Sequence, residues 1–357
     1  MKNRDSDITI FAIGDRVDWE SYERFNRTKA FFNHYGFGYV TTDYTNILAE
    51  KIPHIKTEKV AIFLFFPFNY WNKNIEYKNY RGIYGCLLFQ KKFVRFWKSV
   101  EKILRSTLSD KRIHFINRPE LCGLYRDKLL VSKILSRARI PTPKIYNTSS
   151  LNRIQQLISK GHKLFIKPRC GSMGKGITYL SPDSWQTNFI FKNGKIRSRI
   201  SDYGWNFIDI TGNTRFLGKL LKEDVLIQEA VIPPLFEGNI VDLRVYAFFN
   251  KALYIFPRKN RADKITTNVS QGGKGDDTLL KVIPKNLLSK AKHTAEKTLS
   301  ILNLGFGGID IFLDKNLKDV YVIEANVFPG FTKRLRFDVS KSIIEEFTDK
   351  VNHIRFN

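Results

Sequence analysis

Cysteines are few in this sequence, and long apolar runs are absent. The three cysteines, Cys86, Cys122 and Cys170, form no CxxC pair. They argue against a disulfide framework or a zinc site and favour a reducing compartment. The most apolar run, residues 60–68, is too short to span a bilayer, and the N-terminal residues lack the apolar core of a signal peptide. We therefore expect a cytoplasmic protein without a transmembrane segment.

Acidic residues are also scarce. The chain has 34 Asp and Glu against 60 Lys and Arg, a net charge of +26. This balance favours polyanionic partners such as nucleic acid, anionic lipid, an acidic polymer or phosphates. A composition biased toward Lys, Asn, Ile, Phe and Tyr can arise without functional cause, so the charge alone does not select among these partners. The sequence has no RRM, KH or helix-turn-helix signature, and no specific nucleic-acid partner is expected.

Alternating strands and helices predict an α/β protein with three units. Strands over residues 7–14, 38–44 and 60–68, with a helix over 21–35, indicate an N-terminal α/β domain spanning residues 1–118. A further helix over 91–105 presents five cations on one face, which is either a solvated face or a docking surface for an acidic substrate or a membrane. These cations are Lys91, Arg95, Lys98, Lys102 and Arg105. A helix over 127–139 opens a second unit, residues 119–222, and the third unit covers residues 223–357.

Three glycines within six positions mark the segment KPRCGSMGKGITYL, residues 167–180. Glycine permits positive φ and the close approach of a ligand. The segment is not a Walker A loop, which requires GxxxxGK[ST] before a helix, and it lacks the third glycine of the Rossmann fingerprint. Apolar strands on both sides predict a strand–loop–strand hairpin whose backbone amides cover a phosphate group. A second turn, Asn193-Gly194, has the residues of a type I′ hairpin.

Polar residues suited to a nucleotide site follow along the chain. Gln228 and Glu229 end an apolar strand, and Asp242 and Arg244 share one face of another because side chains alternate. Arg258 and Arg261 are expected after the next strand. The segment TTNVSQGGKG adds Asn268 and the pair Gly272-Gly273.

Two strands near the C-terminus, IDIFLD and VYVIEANV, predict a hairpin with converging oxygen ligands. Pairing Asp314 with Val320 brings Asp310 opposite Glu324, where side chains lie about 5 Å apart. Asn326 shares their face. Buried paired carboxylates repel unless a cation or proton intervenes, and oxygen ligands suit Mg²⁺ or Mn²⁺. Asp310, Glu324 and Asn326 are therefore the predicted metal ligands.

In the order and spacing of these motifs, residues 118–335 resemble the ATP-grasp superfamily of ATP-dependent carboxylate–amine ligases. The RimK-like and YheC/YheD-like branches are the most similar. The resemblance implies an ATP-grasp fold, in which an N-terminal α/β domain precedes two α+β lobes that sandwich ATP. It implies ATP and Mg²⁺ (or Mn²⁺) as cofactors, and carboxylate and amine substrates as partners.

The resemblance also implies roles for individual residues. Lys128 of the "DK" helix and Lys167 of the "KP" strand correspond to phosphate-binding lysines. Asp242 and Arg244 correspond to the ribose carboxylate and its neighbouring arginine. Four residues resemble the family's segment at the adenine edge: Gln228, Glu229, Ala230 and Val231. Six residues resemble the family's loop over the triphosphate: Gly171, Ser172, Met173, Gly174, Lys175 and Gly176.

Arg258 resembles an arginine that precedes an N-x-x-GG element, here Asn268 with Gly272-Gly273. The predicted catalytic residues are Arg258, Arg244 and Lys167, and Asn268 is a further nucleotide contact. RimK-like ligases have an arginine two residues before that asparagine, where this chain has Thr266. Arg261 and Lys264 are the candidate replacements, and the acceptor can differ accordingly.

Three functions remain open on the sequence. The first is an ATP- and Mg²⁺-dependent ligase that forms an acyl-phosphate and then a C–N bond, with a possible acidic peptide or polymer as acceptor. The second is a phosphotransferase that acts on a hydroxyl. The third is a polyanion-binding protein without catalysis. The absence of a Ser-His-Asp or Cys-His arrangement agrees with the first, because positioning and electrostatics carry such chemistry.

Overall fold

The computed structural model describes residues 7–77, 80, 82–201, 206–331 and 337–356. An N-terminal sheet is parallel throughout, with strand order β2-β1-β3-β4. Its strands are β1 (Ile8–Ile13), β2 (Gly38–Thr42), β3 (Lys59–Leu64) and β4 (Arg112–Phe115). Its helices are α1 (Tyr22–Asn26), α2 (Lys29–His34), α3 (Tyr44–Leu48), α4 (Phe68–Tyr70), which continues into a π turn (Trp71–Ile75), and α5 (Leu87–Thr107). Strands and helices alternate along this part of the chain, as the sequence pattern predicted.

Two boundaries in this unit were predicted wrongly. The single helix expected over residues 21–35 is divided into α1 and α2. The break falls at Thr28, whose hydroxyl donates to the carbonyl of Phe25 and competes with the helical backbone. Strand β3 ends at Leu64, earlier than the predicted 60–68, and the chain leaves the sheet before Pro67, which cannot donate to a ladder.

A second, antiparallel sheet has strand order β10-β7-β6-β5-β11, and a separate hairpin pairs β8 with β9. Its strands are β5 (Leu164–Pro168), β6 (Thr178–Leu180), β7 (Trp185–Thr187), β8 (Ile190–Lys192), β9 (Lys195–Arg197), β10 (Ile208–Asp209) and β11 (Val225–Glu229). The helices are α6 (Pro119–Leu124), α7 (Lys128–Arg137), α8 (Leu151–Ser159) and α9 (Thr214–Leu220). The φ values of Asn193 (51°) and Gly194 (67°) confirm the predicted tight turn between β8 and β9.

A third sheet is also antiparallel, with order β15-β14-β13-β16-β17 and β12 paired to β13. Its strands are β12 (Leu235–Phe236), β13 (Asn239–Phe248), β14 (Lys251–Arg261), β15 (Lys274–Gly275), β16 (Phe306–Leu313) and β17 (Val320–Asn326). The helices are α10 (Leu279–Val282), α11 (Lys285–Ile301) and α12 (Val339–Lys350), with 3₁₀ turns at Val269–Gln271 and Val351–His353. Arg258 and Arg261 lie within β14 rather than after it, because β14 extends to Arg261.

The cores of the first and third sheets are continuous. Phe63 of β3 stacks on Phe248 of β13 with centroids 6.1 Å apart. The Asn117 side chain accepts from the amides of Gly305 and Phe306 and donates to the Phe306 carbonyl. The second sheet instead has its own cluster of buried side chains. The described residues therefore form two cores that extend through the first and third sheets, and a third core under the glycine-rich hairpin.

Among the described residues, none of the helices is both long enough and apolar enough to cross a membrane.

Candidate functional site

A cleft between the second and third sheets is open to solvent and has a volume of about 680 Å³, including its solvent-exposed mouth. It gathers residues that the sequence places far apart. The predicted site residues on its walls are Lys128, Lys167, Gly171, Ser172, Gly174, Lys175, Asp242, Arg258, Asn268, Asp310 and Glu324. The predicted site residues outside this lining are Met173, Gly176, Gln228, Glu229, Ala230, Val231, Arg244 and Asn326.

The glycine-rich loop joins β5 to β6, as the strand–loop–strand pattern predicted. Met173, Gly174 and Gly176 have φ values of 58°, 74° and 76°, a region that glycine adopts without strain. The Asn188 side chain holds the loop from behind: its amide donates to the Gly174 carbonyl at 2.8 Å, and its oxygen accepts from Ile177 N. The loop is therefore a braced turn, and its residues Gly171, Ser172, Gly174 and Lys175 line the cleft.

Contacts across the cleft join this loop to the segment that contains Asn268. The Ser270 hydroxyl donates to the Met173 carbonyl at 2.8 Å, and the Gln271 amide donates to the Gly174 carbonyl at 3.3 Å. Gly272 has a φ of 87°, and a Cβ at Gly273 would lie 2.0 Å from the Thr267 carbonyl oxygen. The glycine pair is thus required by the close packing of this segment, which covers the cleft from the third sheet.

Two residues that the sequence did not single out hold the loop from the N-terminal side. The carbonyl of Gly85 accepts from Cys170 N at 2.8 Å. Arg126 donates to the Cys170 carbonyl and to the Ser172 hydroxyl, at 3.0 and 2.9 Å. Its guanidinium lies over the Trp71 ring, 4.6 Å from the centroid. These contacts are long-range, and no local sequence signal indicates them.

The floor of the cleft is the pair of strands β16 and β17. Asp310 lies opposite Glu324, as predicted. The strand pairing that leads to this contact differs, however, from the pairing predicted at the turn. Leu313 pairs with Val320 rather than with Tyr321, so the hairpin starts one residue out of the predicted register. A bulge at Ile323 restores the pairing at Asp310. Both carboxylates consequently face the cleft.

Charges alternate across the third sheet in two rows. Arg244 on β13 lies opposite Asp310, which lies opposite Glu324, and in the adjacent row Arg258 lies opposite Asp242. The Arg244 guanidinium donates to both oxygens of Asp310 at 2.8 and 2.9 Å. Arg258 pairs with Asp242 and also reaches Asp310 at 3.1 Å. Opposite charges on neighbouring strands stabilise such a sheet.

Neighbouring opposite charges, which act against burial, fix the charge states of Asp310 and Arg258. Burial raises the pKa of Asp310, but the charges of Arg244 and Arg258 outweigh this effect and hold the pKa below its usual range. Arg258 is only 4% exposed. Burial opposes its charge, yet Asp242 and Asp310 raise its pKa, so it stays a cation. Arg258 is thus a buried cation beside the cleft and not a surface salt-bridge residue.

Lysines complete the cationic lining. Lys128 Nζ donates to the Gly171 carbonyl at 2.7 Å and to Glu324 Oε1 at 2.6 Å, so it joins the loop to the floor. Asp127 caps this helix by accepting from the amides of Leu129 and Leu130. Burial lowers the pKa of Lys167 to about 8; the charge of Glu324 opposes this change and that of Lys128 adds to it.

The residues predicted at the adenine edge lie on β11 and just beyond it. Gln228 is buried and its amide donates to Ser132 Oγ at 3.4 Å, while the Glu229 carboxylate bonds with Tyr146 and His162. The amides of Glu229 and Ala230 donate to the carbonyls of Lys144 and Lys163. Within the described part of the chain no such bond involves the amide of Val231, which is compatible with the predicted backbone contact.

The donor set fits a hard divalent cation. Within the described ranges no three His, Cys, Asp or Glu side chains are grouped closely enough to hold a metal ion. Asp310 and Glu324 supply two carboxylates. The Asn326 amide nitrogen donates to Asp310 Oδ2 at 3.3 Å, which leaves its oxygen available. Mg²⁺ commonly takes one or two carboxylates together with substrate phosphates, so the residues present suit Mg²⁺ with a nucleotide.

Two aromatic residues add apolar surface to the cleft. Phe165 and Phe312 both line it. The sequence contained a signal for each, because Phe165 lies two residues before Lys167 and Phe312 two residues after Asp310, on the same faces of their strands. The Lys167 ammonium lies 5.0 Å from the centroid of the Phe165 ring.

Comparisons with known proteins agree with this geometry. A family model described as YheC/D like ATP-grasp matches residues 113–350. A probable alpha-L-glutamate ligase of Vibrio atlanticus (strain LGP32) is 27% identical over 235 residues, which are 64% of this chain and 65% of the relative. The endospore coat-associated protein YheD of Bacillus subtilis (strain 168) is 29% identical over 209 residues, 53% of this chain and 44% of the relative. The chain thus spans less than two thirds of either relative.

The fold has solved counterparts. The structure of the ATP-grasp ligase PsnB, complexed with minimal precursor, Mg and ADP, superposes with a TM-score of 0.55 at 12% identity. The alignment covers 96% of this chain and 98% of that one. The predicted ATP-grasp fold is therefore confirmed.

The family match extends over most of the second and third sheets and includes every predicted site residue. The family implies ATP with Mg²⁺ as cofactors, which agrees with the donor set described above. The chain belongs to the YheC/D-like ATP-grasp family.

Proposed function

We propose that the protein is an ATP- and Mg²⁺-dependent carboxylate–amine ligase that acts through an acyl-phosphate intermediate. The observation that carries this proposal is the opposition of the braced glycine loop to a floor of two carboxylates and an amide, with cations between them. The cleft and its immediate surroundings have five cationic side chains and three anionic ones. The cations are Lys128, Lys167, Lys175, Arg244 and Arg258, and the anions are Asp242, Asp310 and Glu324. The excess of positive charge suits a triphosphate.

Each residue then has a role in binding or positioning. Asp310, Glu324 and Asn326 would hold Mg²⁺, which when bound neutralises phosphate charge. Lys128 and Lys167 bind phosphate oxygens, and the loop from Gly171 to Gly176 covers them with backbone amides. Asn268 contacts the nucleotide from the opposite wall. Gln228 to Val231 contact the adenine edge, and Asp242 contacts the ribose.

The proposed reaction has two steps. A substrate carboxylate oxygen attacks the γ-phosphorus and ADP leaves, which gives an acyl-phosphate. An amine then attacks the acyl carbon, phosphate leaves, and the amine loses a proton to form the amide. Arg258 stabilises charge on the transferred phosphoryl group and on the tetrahedral oxyanion, with Arg244 beside it.

Covalent catalysis by a cysteine does not fit the site. Cys170 is the cysteine nearest to the loop, and burial raises the pKa of its thiol to about 12. The thiol therefore stays protonated near neutral pH, and the thiolate is the nucleophilic form. Positioning and electrostatics remain as the means of catalysis.

The names of the relatives support amino acids or peptides as substrates. One relative is a probable glutamate ligase, and PsnB was solved with the precursor peptide PsnA2. Residues 1–118, 119–222 and 223–357 are proposed as the N-terminal domain, the lobe with the glycine loop and the lobe with the metal ligands. A cytoplasmic location is proposed with them.

ADP release in the presence of Mg²⁺, screened against mixed amino acids and peptides, tests the proposal. We expect release to require both a carboxylate and an amine, and the product mass to equal the two substrates minus water. Glu324→Ala is the inactive control. Release that needs only a hydroxyl compound, with phosphate retained on it, would instead identify a phosphotransferase.

A further inference from the structure

The hairpin of β8 and β9 has one buried face and one exposed face. Ile196 is buried, and Phe191 packs on Phe216 of α9 with centroids 5.4 Å apart. The opposite face is exposed and carries four side chains. They are Ile190, Lys192, Lys195 and Arg197.

The exposed face brings like charges together. Lys192 lies directly opposite Lys195, and like charges in that position destabilise a strand pair. Arg215 adds a third cation at the turn, since its Nη2 would lie 2.9 Å from a Cβ at Gly194. The sequence has no Asp or Glu between Asp183 and Asp202. Among the ion pairs of the described residues, none includes these three cations or Arg197. The arrangement therefore lacks acidic partners within the described part of the chain.

The wider segment shares this charge. Residues 119–222 contain 19 of the 60 Lys and Arg residues but only 5 of the 34 Asp and Glu residues. The excess of positive charge in the whole chain is thus concentrated in the part that contains the glycine loop. A general compositional bias would spread the excess more evenly.

The hairpin is connected directly to the loop over the cleft. Arg199, just after β9, donates to the Asn188 carbonyl at 3.3 Å. The Asn188 side chain in turn donates to the Gly174 carbonyl. A chain bound along the hairpin would consequently lie next to the loop that covers the phosphate site.

We propose that the exposed face of the β8–β9 hairpin, with Arg215, binds an acidic polypeptide and presents its carboxylate to the cleft as the acceptor. This inference rests on the ligase function proposed above and names its substrate class. Carboxylate side chains along a peptide would neutralise the four cations Lys192, Lys195, Arg197 and Arg215. Within the described ranges, the exposed face of this hairpin has no aromatic side chain, whereas proteins that bind single-stranded nucleic acid stack bases on aromatic residues. The geometry therefore favours a peptide over nucleic acid.

Binding of a fluorescent oligoglutamate peptide, without ATP, tests the surface separately from catalysis. The variant is Lys192→Gln/Lys195→Gln/Arg197→Gln. The matched control, Lys91→Gln/Lys98→Gln/Lys102→Gln, removes the same charge from the exposed face of α5. We expect the hairpin variant to bind about tenfold more weakly, the loss expected for three exposed ion pairs. The control should bind like the wild type, and both variants should keep the wild-type affinity for ADP.

Three results would overturn the inference. One is an equal loss of peptide affinity in the hairpin variant and in the α5 control, which would indicate attraction by net charge alone. Another is unchanged peptide affinity in the hairpin variant. The third is tighter binding of an oligothymidylate of matched charge, lost in the hairpin variant, which would identify nucleic acid as the partner.

Turnover distinguishes this inference from the ligase proposal. With an active acidic acceptor, the hairpin variant should raise the KM for that acceptor while kcat and the KM for ATP stay unchanged. If the peptide binds at the hairpin but no acceptor gives ADP release, the ligase proposal fails and the binding surface stands. If ligation occurs with the same KM in variant and wild type, the surface fails and the ligase proposal stands.

Discussion

Lys128 Nζ lies 2.6 Å from Glu324 Oε1 and at the same time donates to the carbonyl of Gly171. One ammonium group therefore joins the proposed metal ligand to the loop that covers the phosphates. Any cation that binds Glu324 competes with Lys128 for the carboxylate and releases the lysine toward an anion.

Glu324→Gln separates the two effects. The substitution keeps the shape of the side chain and removes its charge, so the Mg²⁺-dependent part of ADP affinity should be lost. Without Mg²⁺ the affinity should be unchanged or higher, because Lys128 is no longer paired with a carboxylate. Calorimetry with and without Mg²⁺ measures both quantities. Asp319→Asn, an exposed residue of the same hairpin, is the control, and an equal loss under both conditions would refute the proposed metal role.

Lys167 makes nucleotide affinity depend on pH. Its pKa, lowered to about 8 chiefly by burial, means that the ammonium form prevails below pH 8 and the neutral form above it. Only the ammonium form attracts phosphate, so ADP affinity should be constant below pH 8 and fall by about tenfold per pH unit above it. Binding above pH 8 should also take up a proton. ADP titrations at several pH values measure both effects.

Lys167→Arg is the matched variant for that profile, because a guanidinium stays charged throughout this range. Its affinity should vary little from pH 7 to pH 9. An equally steep fall in the arginine variant would assign the pH dependence to another group.

Arg126→Gln should loosen the glycine-rich loop. The substitution removes the hydrogen bonds to Cys170 and Ser172 and the contact over Trp71. We expect a loss of about 1–3 kcal/mol in the free energy of unfolding and faster tryptic cleavage after Lys175, which ADP should slow. Arg118→Gln, at an exposed arginine nearby, should change neither quantity. Cleavage at the wild-type rate would show that Arg126 does not hold the loop.

Gly85→Ala should disturb the nucleotide site from the N-terminal side. A Cβ at Gly85 would lie 2.3 Å from both Cα and N of Gly171, at a φ of 80°. Gly161 has a similar φ of 89°, and a Cβ there would meet nothing within 4 Å. Gly161→Ala should therefore cost only the strain of about 1–2 kcal/mol in unfolding free energy.

Gly85→Ala should add a loss of ADP affinity of at least about tenfold, because the loop must move away from the new methyl group. Unfolding curves and ADP titrations of the two variants separate strain from displacement. Equal ADP affinities in the two alanine variants would contradict the steric argument.

The sequence predicted those parts of the fold and site that depend on local patterns. The glycine spacing was sufficient to identify the loop. Asp310 was predicted opposite Glu324 from a register that is one residue out at the turn, and the pairing holds because the bulge at Ile323 offsets that error. The register error at Leu313 arose because a bulge cannot be read from alternation. The break between α1 and α2 at Thr28 coincides with one hydrogen bond from the Thr28 hydroxyl. The periodicity of apolar residues in a helix cannot predict such a bond.

The contacts of Gly85, Arg126 and Asn188 could not be predicted, for a different reason. Each joins segments that are distant in sequence or different in type, and each bonds mainly to backbone carbonyls or amides. Such bonds require no particular partner residue, so the sequence has no complementary pattern to reveal them. The ion pair of Arg258 and Asp242 was predictable in part. Both residues were predicted to belong to the site, but their contact depends on the register of β13 and β14, which the sequence did not reveal.

The hydrogen bonds of Asn117 constrain how the two parts of the chain can change during evolution. Its side chain bonds to the backbone at the start of β16, the strand that ends three residues after Asp310. The proposed N-terminal domain is consequently part of the scaffold of the proposed site and not an independent accessory. It could not be exchanged for an unrelated domain without re-forming the base of that strand, so the two parts are expected to diverge together.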